Sequence, residues 1–372
     1  MKILLLSCST GEGHNSAAKA VCEALKNAGA ECEMKDPVSF RSEKTPKKIA
    51  NLYNNLIKKT PKAFGMVYKI GDMVDRSPIP SPIYAWNAQY ADKLADYIER
   101  SGFDAVVTSH LYGMLALTEA KRLGRLTVPA FGIATDYTMI PFTRDAVLTE
   151  IFVPHKDLAP VFVAAGMDEK SVIPTGIPVS PSILTAPEKS EARAALGLPE
   201  GKKIVLVMSG GVGCVSVVNP LLKKVKKTHD TDKCWVVLVG NNLKLKEKIE
   251  KSCPDGEVIA VGFTDKVRLY LKAADVVISK SGGLSSTEVA AAGVPLVHFK
   301  PIPGCESCNA KFFSEKGMSV LAKTGNEALD LAEKLLESEE KRNAMVAAQK
   351  KEINASAADD IAGRIRKWVS EK

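Results

Sequence analysis

Short apolar runs alternate with helical patterns from one end of this 372-residue chain to the other, and that alternation limits the fold more than any other feature. Lys2-Ile3-Leu4-Leu5-Leu6, the run from Phe103 to Thr108 and the run from Val128 to Ala134 read as strands. A second set follows at Lys203 to Met208, Cys234 to Val239, Val258 to Val261 and Asp275 to Ile278. Strands interleaved with helices pair in parallel, and helices cover both faces of the sheet. Between the two sets, Pro174, Gly176, Pro178, Pro181, Pro187 and Pro199 crowd around a short helical pattern from Glu188 to Leu196. That stretch reads as a linker, and the length suits two domains. The predicted domains span 1–180 and 181–372, with the helical segment from Asp359 to Val369 crossing back onto the first. The fold class is α/β, with two Rossmann-like domains built on parallel sheets.

The first strand runs straight into Ser9-Thr10-Gly11-Glu12-Gly13-His14, and Asn15-Ser16-Ala17-Ala18 then opens a helix. A glycine turn between a parallel strand and a helix lets a phosphate approach backbone N–H groups, here with Gly11 and Gly13. His14 adds a group that titrates near neutral pH and can take a proton. A dinucleotide fingerprint is weak here: Ser16 stands where the third glycine belongs, although Asp36 lies where a ribose-binding acid could sit. The plainer reading is a tight strand–helix turn of any α/β domain. A phosphate-cradling turn with a base built into it points instead to transfer chemistry.

The formal charge is +8, from 51 basic and 43 acidic residues, which favours an anionic partner. At 6% aromatic residues, and without an RNA- or DNA-binding motif, nucleic acid is not the expected partner. The first apolar run is too short for a secretory signal and no stretch reaches membrane-spanning length, so a soluble or peripheral cytoplasmic protein is expected. The eight cysteines show no framework spacing. Cys305-Glu306-Ser307-Cys308 has no second pair beside it, so neither zinc nor redox function is expected there. Residues 41–85 are strongly basic. Within them Ile49, Leu52, Tyr53, Leu56 and Ile57 form a helical apolar stripe flanked by Lys47, Lys48, Lys58 and Lys59. Two readings stand side by side: surface helices with solvated lysines, or an interfacial helix on anionic lipid.

Three further loops carry candidate chemistry. Ser209-Gly210-Gly211-Val212-Gly213 is a second glycine turn after a strand. Ser279-Lys280-Ser281-Gly282-Gly283 leads into a pattern bearing Glu288, a carboxylate able to accept both hydroxyls of a ribose; a capped helix with a solvated glutamate is the bland alternative. Pro301-Ile302-Pro303-Gly304-Cys305-Glu306 with Asn309 forms a stiff loop, in which Glu306 and Asn309 are placed to bind a polyol.

Taken together, Thr10-Gly11-Glu12-Gly13-His14, Thr135-Asp136, Gly176-Ile177-Pro178-Val179, Ser209-Gly210-Gly211, Gly262-Phe263, Lys280-Ser281-Gly282, Glu288 and Ile302-Pro303-Gly304-Cys305-Glu306 with Asn309 resemble one family over nearly the whole chain. It is that of the monogalactosyldiacylglycerol synthases and processive diacylglycerol glucosyltransferases, related to the peptidoglycan N-acetylglucosaminyltransferase. The lipid enzymes usually read T-G-G-G-H and P-G-Q-E where this chain has Thr10-Gly11-Glu12-Gly13-His14 and Pro303-Gly304-Cys305-Glu306. The resemblance implies a GT-B architecture of two facing Rossmann-like domains. It further implies inversion at the sugar, a UDP-sugar donor in the C-terminal domain and a lipid acceptor against the N-terminal one. Carried over by position, Glu288 would bind ribose and Gly262 and Phe263 would lie near uracil. Gly210, Gly211, Ser281 and Gly282 would border the phosphates, and Cys305 and Glu306 would face the donor sugar. Cys305 in place of the family's Gln leaves glucose and galactose both open.

The expected activity is transfer of a hexose from a UDP-sugar to diacylglycerol on the inner face of the cell membrane. His14 is the expected base, with Asp136 supporting it or replacing it. No aspartate pair stands out as a Mg²⁺ site, so no cofactor or essential metal is expected. Other readings are a transferase acting on the lipid-linked peptidoglycan precursor, a UDP-sugar epimerase of similar fold and a non-catalytic nucleotide-binding module. Ser16-Ala17-Ala18 after the histidine argues against the first.

Overall fold

The computed structural model describes residues 1–8, 12–59, 81–208, 215–228, 232–253, 256–299 and 301–371, without the side chains of 53–59. The chain divides into two compact units. The first comprises Met1–Pro181, Ile302–Cys305 and Asn354–Lys372; the second comprises Ser182–Pro301 and Glu306–Ile353.

The first unit is built on a six-stranded sheet in the order β2-β1-β3-β4-β5-β6. Its strands are β1 (Lys2–Leu6), β2 (Glu31–Lys35), β3 (Ala105–Thr108), β4 (Ala130–Ile133), β5 (Glu150–Phe152) and β6 (Val172–Ile173), and all neighbours pair in parallel. The unbroken apolar run of β1 follows from burial on both faces. Leu4 and Leu6 enter one core with Tyr90, Leu94, Ile98 and Met114, while Ile3 and Leu5 enter the other with Val21 and Leu25. Successive strand side chains point to opposite faces, so both parities must be apolar. Each such side chain contributes about 1.5–3 kcal/mol on burial. The second of these cores is completed by the C-terminal helix Ala357–Ser370, whose Ala358, Ile361, Ala362 and Ile365 are buried in it. Its far end is anchored on β5: the Arg364 guanidinium donates to both oxygens of the buried Glu150 at 2.8 and 2.5 Å, and Trp368 Nε1 donates at 2.9 Å.

The second unit has a six-stranded sheet in the order β12-β11-β10-β7-β8-β9. These are β7 (Lys203–Met208), β8 (Lys233–Gly240), β9 (Val258–Gly262), β10 (Val276–Ser279), β11 (Leu296–Phe299) and β12 (Val320–Ala322), again all parallel. Val205, Val207, Trp235, Val237 and Ile278 form its main core with Leu221, Leu329 and Leu335. In both sheets the strand order reverses beside the first strand of the unit, at β1/β3 and at β7/β10. In parallel α/β sheets, ligands bind outside the carboxyl ends of the strands at such a reversal.

Candidate active site

In the first unit the reversal brings the ends of β1 and β3 side by side, with Leu6 paired to Thr108. Helix Glu12–Asn27 leaves the end of β1 and helix Leu111–Arg122 leaves that of β3. The sequence pattern places the helix start at Asn15, but the helix already begins at Glu12, so Gly13 and His14 lie in its first turn. An acidic residue there suits the positive end of the helix dipole. Gly11 lies outside the described residues.

His14 is held from three sides. Its Nδ1 is 2.7 Å from the carbonyl oxygen of Ser109, its own carbonyl accepts from Ser109 Oγ at 2.9 Å, and Thr135 Oγ1 is 3.1 Å from Nδ1. A carbonyl can only accept, so Nδ1 carries the proton in the neutral ring and Nε2 presents its lone pair. The ring of His110 stands edge-on to that of His14, with centroids 4.6 Å apart. Burial pushes the His14 imidazole below its ordinary range, opposed by the nearby charge of Asp136 and by the Ser109 carbonyl. Burial pushes His110 lower still, helped by His14. Both rings are therefore neutral at physiological pH, the state a base needs. Asp136 is half-buried and, with His14, Thr135, Thr138 and Thr143, lines a narrow cleft.

Sequence reasoning names His14 and Asp136 but misses Ser109 and His110. The signal is present, since a polar pair directly after a buried strand marks the carboxyl edge of a parallel sheet. Asp36 serves elsewhere: it caps the short helix Pro37–Phe40 by accepting from Val38 N at 3.0 Å. The dinucleotide reading loses its ribose acid accordingly.

In the second unit, loop 280–282 follows β10 and helix Gly283–Ala291 starts with no side-chain cap. Its first N–H groups are thus not satisfied by the cap residue Gly282, the arrangement that suits a phosphate. A buried polar lattice fixes this helix. Ser286 Oγ lies 2.9 Å from His298 Nε2 on β11, and Ser319 Oγ lies 3.1 Å from His298 Nδ1. Burial pushes His298 down to about 3, so it stays neutral. Glu288, half-buried on the same helix, has no hydrogen bond or ion pair to any described residue. Burial alone raises its carboxyl to about 7. Such a group gains from any ligand that donates hydroxyls to it.

Helix Cys305–Glu315 begins directly after Gly304, whose φ of 112° only glycine adopts readily. Cys305 and Glu306 are half-buried in its first turn, and Cys308 is exposed. Ser281 Oγ donates to the Glu306 carbonyl at 2.7 Å, and Asn309 Nδ2 donates to the Ser281 carbonyl at 3.0 Å. Asn309 is fully buried. Expected to bind a polyol, it donates an amide N–H that ties helix Cys305–Glu315 to loop 280–282, and so it acts as a brace. Gly262 ends β9, and the Phe263 ring beside it is 77% exposed, open to stacking with a flat ligand. Gly210 and Gly211 lie outside the described residues.

On helix Thr45–Lys59 of the first unit, Lys47 and Lys48 are exposed and Leu52 is 70% exposed. The apolar stripe is not uniform, because Ile49 packs against the domain core. The side chains of Leu56, Lys58 and Lys59 lie outside the described residues. Among the described residues no helix is long and apolar enough to cross a membrane.

Comparison with known proteins gives concordant matches. Residues 14–179 match the family described as monogalactosyldiacylglycerol (MGDG) synthase, and residues 204–365 match the glycosyltransferase family 28 C-terminal domain. A processive diacylglycerol beta-glucosyltransferase of Bacillus pumilus (strain SAFR-032) is 25% identical over 347 residues, 92% of this chain and 89% of the relative. A protein of the same name from Bacillus thuringiensis (strain Al Hakam) is 25% identical over 370 residues, 98% and 93% of the two chains. Among solved structures, MurG of Acinetobacter baumannii aligns with a TM-score of 0.62 at 16% identity, over 98% of this chain and 99% of that one. A UDP-GlcNAc 2-epimerase of Neisseria meningitidis, bound to UDP-GlcNAc, aligns with a TM-score of 0.63 at 14% identity, over 99% and 100%. At these identities the structural likeness shows the fold, which is the GT-B type expected from the sequence. The same likeness spans a MurG and an epimerase, so fold alone does not choose the reaction.

Proposed function

We propose, since this chain belongs to the monogalactosyldiacylglycerol synthase and processive diacylglycerol glucosyltransferase family, that it transfers a hexose from a UDP-sugar to diacylglycerol and so makes a membrane glycolipid. The observation that carries the reading is the His14 imidazole. It sits at the strand reversal of the unit matching the synthase family, with Nδ1 committed to Ser109 and Nε2 left as a proton acceptor.

The reaction is a single displacement with inversion. The lipid hydroxyl oxygen attacks the anomeric carbon, its proton passes to His14 Nε2, and the bond from that carbon to the UDP oxygen breaks. Asp136 stabilises the imidazolium that forms. The uncapped start of helix Gly283–Ala291 meets the charge of the departing diphosphate, so no metal is essential. Glu288 accepts the ribose hydroxyls, Phe263 stacks on uracil, and Cys305 and Glu306 meet the donor hexose. Because the acceptor stays in the bilayer, the protein works as a peripheral enzyme on the cytoplasmic face. Lys47, Lys48 and Leu52 touch an anionic surface there, with Leu56, Lys58 and Lys59 on the same helix.

The test supplies UDP-glucose or UDP-galactose with diacylglycerol vesicles, with and without EDTA, and identifies the lipid product by mass and anomeric NMR. A β-hexosyl diacylglycerol, formed equally in EDTA, is the expected product. Conversion of the UDP-sugar without acceptor, or UDP binding with no lipid product, would overturn the reading.

A further inference from the structure

Beside His14 stands a second imidazole that no part of the reaction above employs. His110 is the N-cap of helix Leu111–Arg122, and its Nδ1 accepts from the backbone N–H of Tyr112 at 3.1 Å. That bond fixes the ring's orientation and its tautomer, because Nδ1 must keep its lone pair and the neutral ring carries its proton on Nε2. The surrounding backbone is stiff. Thr108 Oγ1 donates to the His110 carbonyl at 3.2 Å, and a Cβ on Gly113 would fall 2.2 Å from Thr108 Oγ1, so only glycine lets the helix approach β3 this closely. One face of the His110 environment is the Tyr112 ring, at a centroid distance of 4.5 Å, and the other is His14 at 4.6 Å.

The dipeptide Ser109-His110 thus grips His14 twice. Ser109 holds Nδ1 and the backbone carbonyl, and the His110 ring walls the imidazole. A cap residue needs only a small polar side chain, for which Asn or Ser serves as well. A ring at this position adds a surface against which the His14 ring rests. We infer that His110 is a positioning residue for His14: its locked ring holds the His14 imidazole in the rotamer that donates Nδ1–H to Ser109 and keeps water from that side. The inference rests on the reading of His14 as the base.

Losing the wall lets the His14 ring rotate away from Ser109, and small misplacements of a reacting group carry large losses in turnover. Losing it also admits water, which relieves the burial that lowers the proton affinity of His14. Among the described residues, the charged and titratable groups facing His14 are Asp136, from the loop after β4, and His110 itself; Glu12 is on its own helix. Asp136 is untouched by a change at 110, so a shift of the pH profile reports the wall.

The experiment compares His110→Asn, which keeps a cap and removes the ring, with His110→Phe, which keeps the ring and removes the cap. Steady-state kinetics with a UDP-hexose and diacylglycerol vesicles are run from pH 5 to 9, with thermal melts to confirm folding. His110→Asn is expected to lower kcat about ten- to hundred-fold with the UDP-hexose KM unchanged, and to move the acid limb of kcat/KM to higher pH. His110→Phe is expected to recover the larger part of that kcat and to shift the limb less, even where its melt is lower. An Asn variant with the parent's kcat and acid limb overturns the inference and leaves His110 a cap alone. So does a Phe variant no better than the Asn one. His14→Ala, run alongside, separates the two readings. A large loss there beside a silent His110→Asn overturns the positioning role only, whereas full turnover in His14→Ala overturns the base and the positioning role with it.

Discussion

His14 Nδ1 lies 2.7 Å from the carbonyl oxygen of Ser109, a residue 95 positions away in the chain. The contact decides which nitrogen of the imidazole can take a proton. His14→Ala should lower kcat by about 10²–10⁴ while leaving UDP affinity close to the parent's. The pH dependence has a definite sign. A base works in its neutral form, so activity falls as pH drops through its pKa. Burial lowers the His14 pKa, which places the acid limb of kcat/KM below the ordinary imidazole range near 6.5. Asp136 opposes that lowering, so Asp136→Asn should push the limb further down. If Asp136→Asn proves the more damaging change at equal folded content, the base is Asp136.

Glu288 should couple nucleotide binding to pH. Its carboxyl is raised to about 7, so the folded protein keeps the proton from the ordinary carboxylate range up to about 7. Stability supplied by that proton is present at lower pH and is lost as pH rises through 7. Ribose hydroxyls donate to the ionised form, so UDP affinity should rise with pH through the same window and binding should release protons. Glu288→Gln should flatten the curve; subtracting it from the parent's removes the titration of UDP itself. Hydrogen bonds to a charged group are worth about 1.5–3 kcal/mol, so Glu288→Ala should weaken UDP roughly ten- to hundred-fold. Calorimetry in buffers of different ionisation enthalpy measures both effects, and an unchanged affinity removes Glu288 from the site.

The lysines of helix Thr45–Lys59 should govern membrane binding. Each basic residue at an anionic leaflet contributes about 1 kcal/mol, an attraction that decays within a Debye length of about 8–10 Å. Changing Lys47, Lys48, Lys58 and Lys59 together to Gln should release the protein from anionic vesicles and reduce activity on them, while activity on detergent-solubilised acceptor is kept. Co-sedimentation across a salt series reads this directly. If the quadruple variant sediments like the parent, the lysines are a solvated face.

The first unit should depend on its last helix. Arg364→Ala strips two donors from the buried Glu150 carboxylate and leaves it the Trp368 indole N–H. Breaking a fully buried pair costs roughly 3–5 kcal/mol; Arg364 is partly exposed, so about 2–3 is expected here. At about 2–4 °C per kcal/mol for a domain of this size, the melting midpoint should fall by roughly 4–12 °C. A midpoint within about 1 °C of the parent's, on the order of experimental error, would show that the apolar face of the helix suffices without the ion pair.

Local pattern made much of this protein legible from its sequence. β1, β3, β4 and β7 to β10 lie where apolar runs stand between helical patterns, because burial of a parallel strand on both faces demands such a run. His14 and Glu288 could be named because strand–turn–helix junctions follow from adjacent residues, whereas Asp136 is named from the family resemblance. The short strands β5, β6 and β12 could not, since two or three residues carry no period of their own.

What the tertiary structure alone decided is which junctions meet. Ser109 and His110 reach His14 because β3 pairs beside β1 on the side opposite β2, and pairing order depends on how distant segments bury their faces together. The same holds for Asn309, a polar residue whose spacing suggested a ligand contact and whose full burial made it a brace to Ser281. Composition and spacing fix the chemical character of a side chain and the element that bears it. Its partners, its tautomer and the direction of its pKa come from the neighbours that folding packs against it, and for His14 one of those lies 95 residues away.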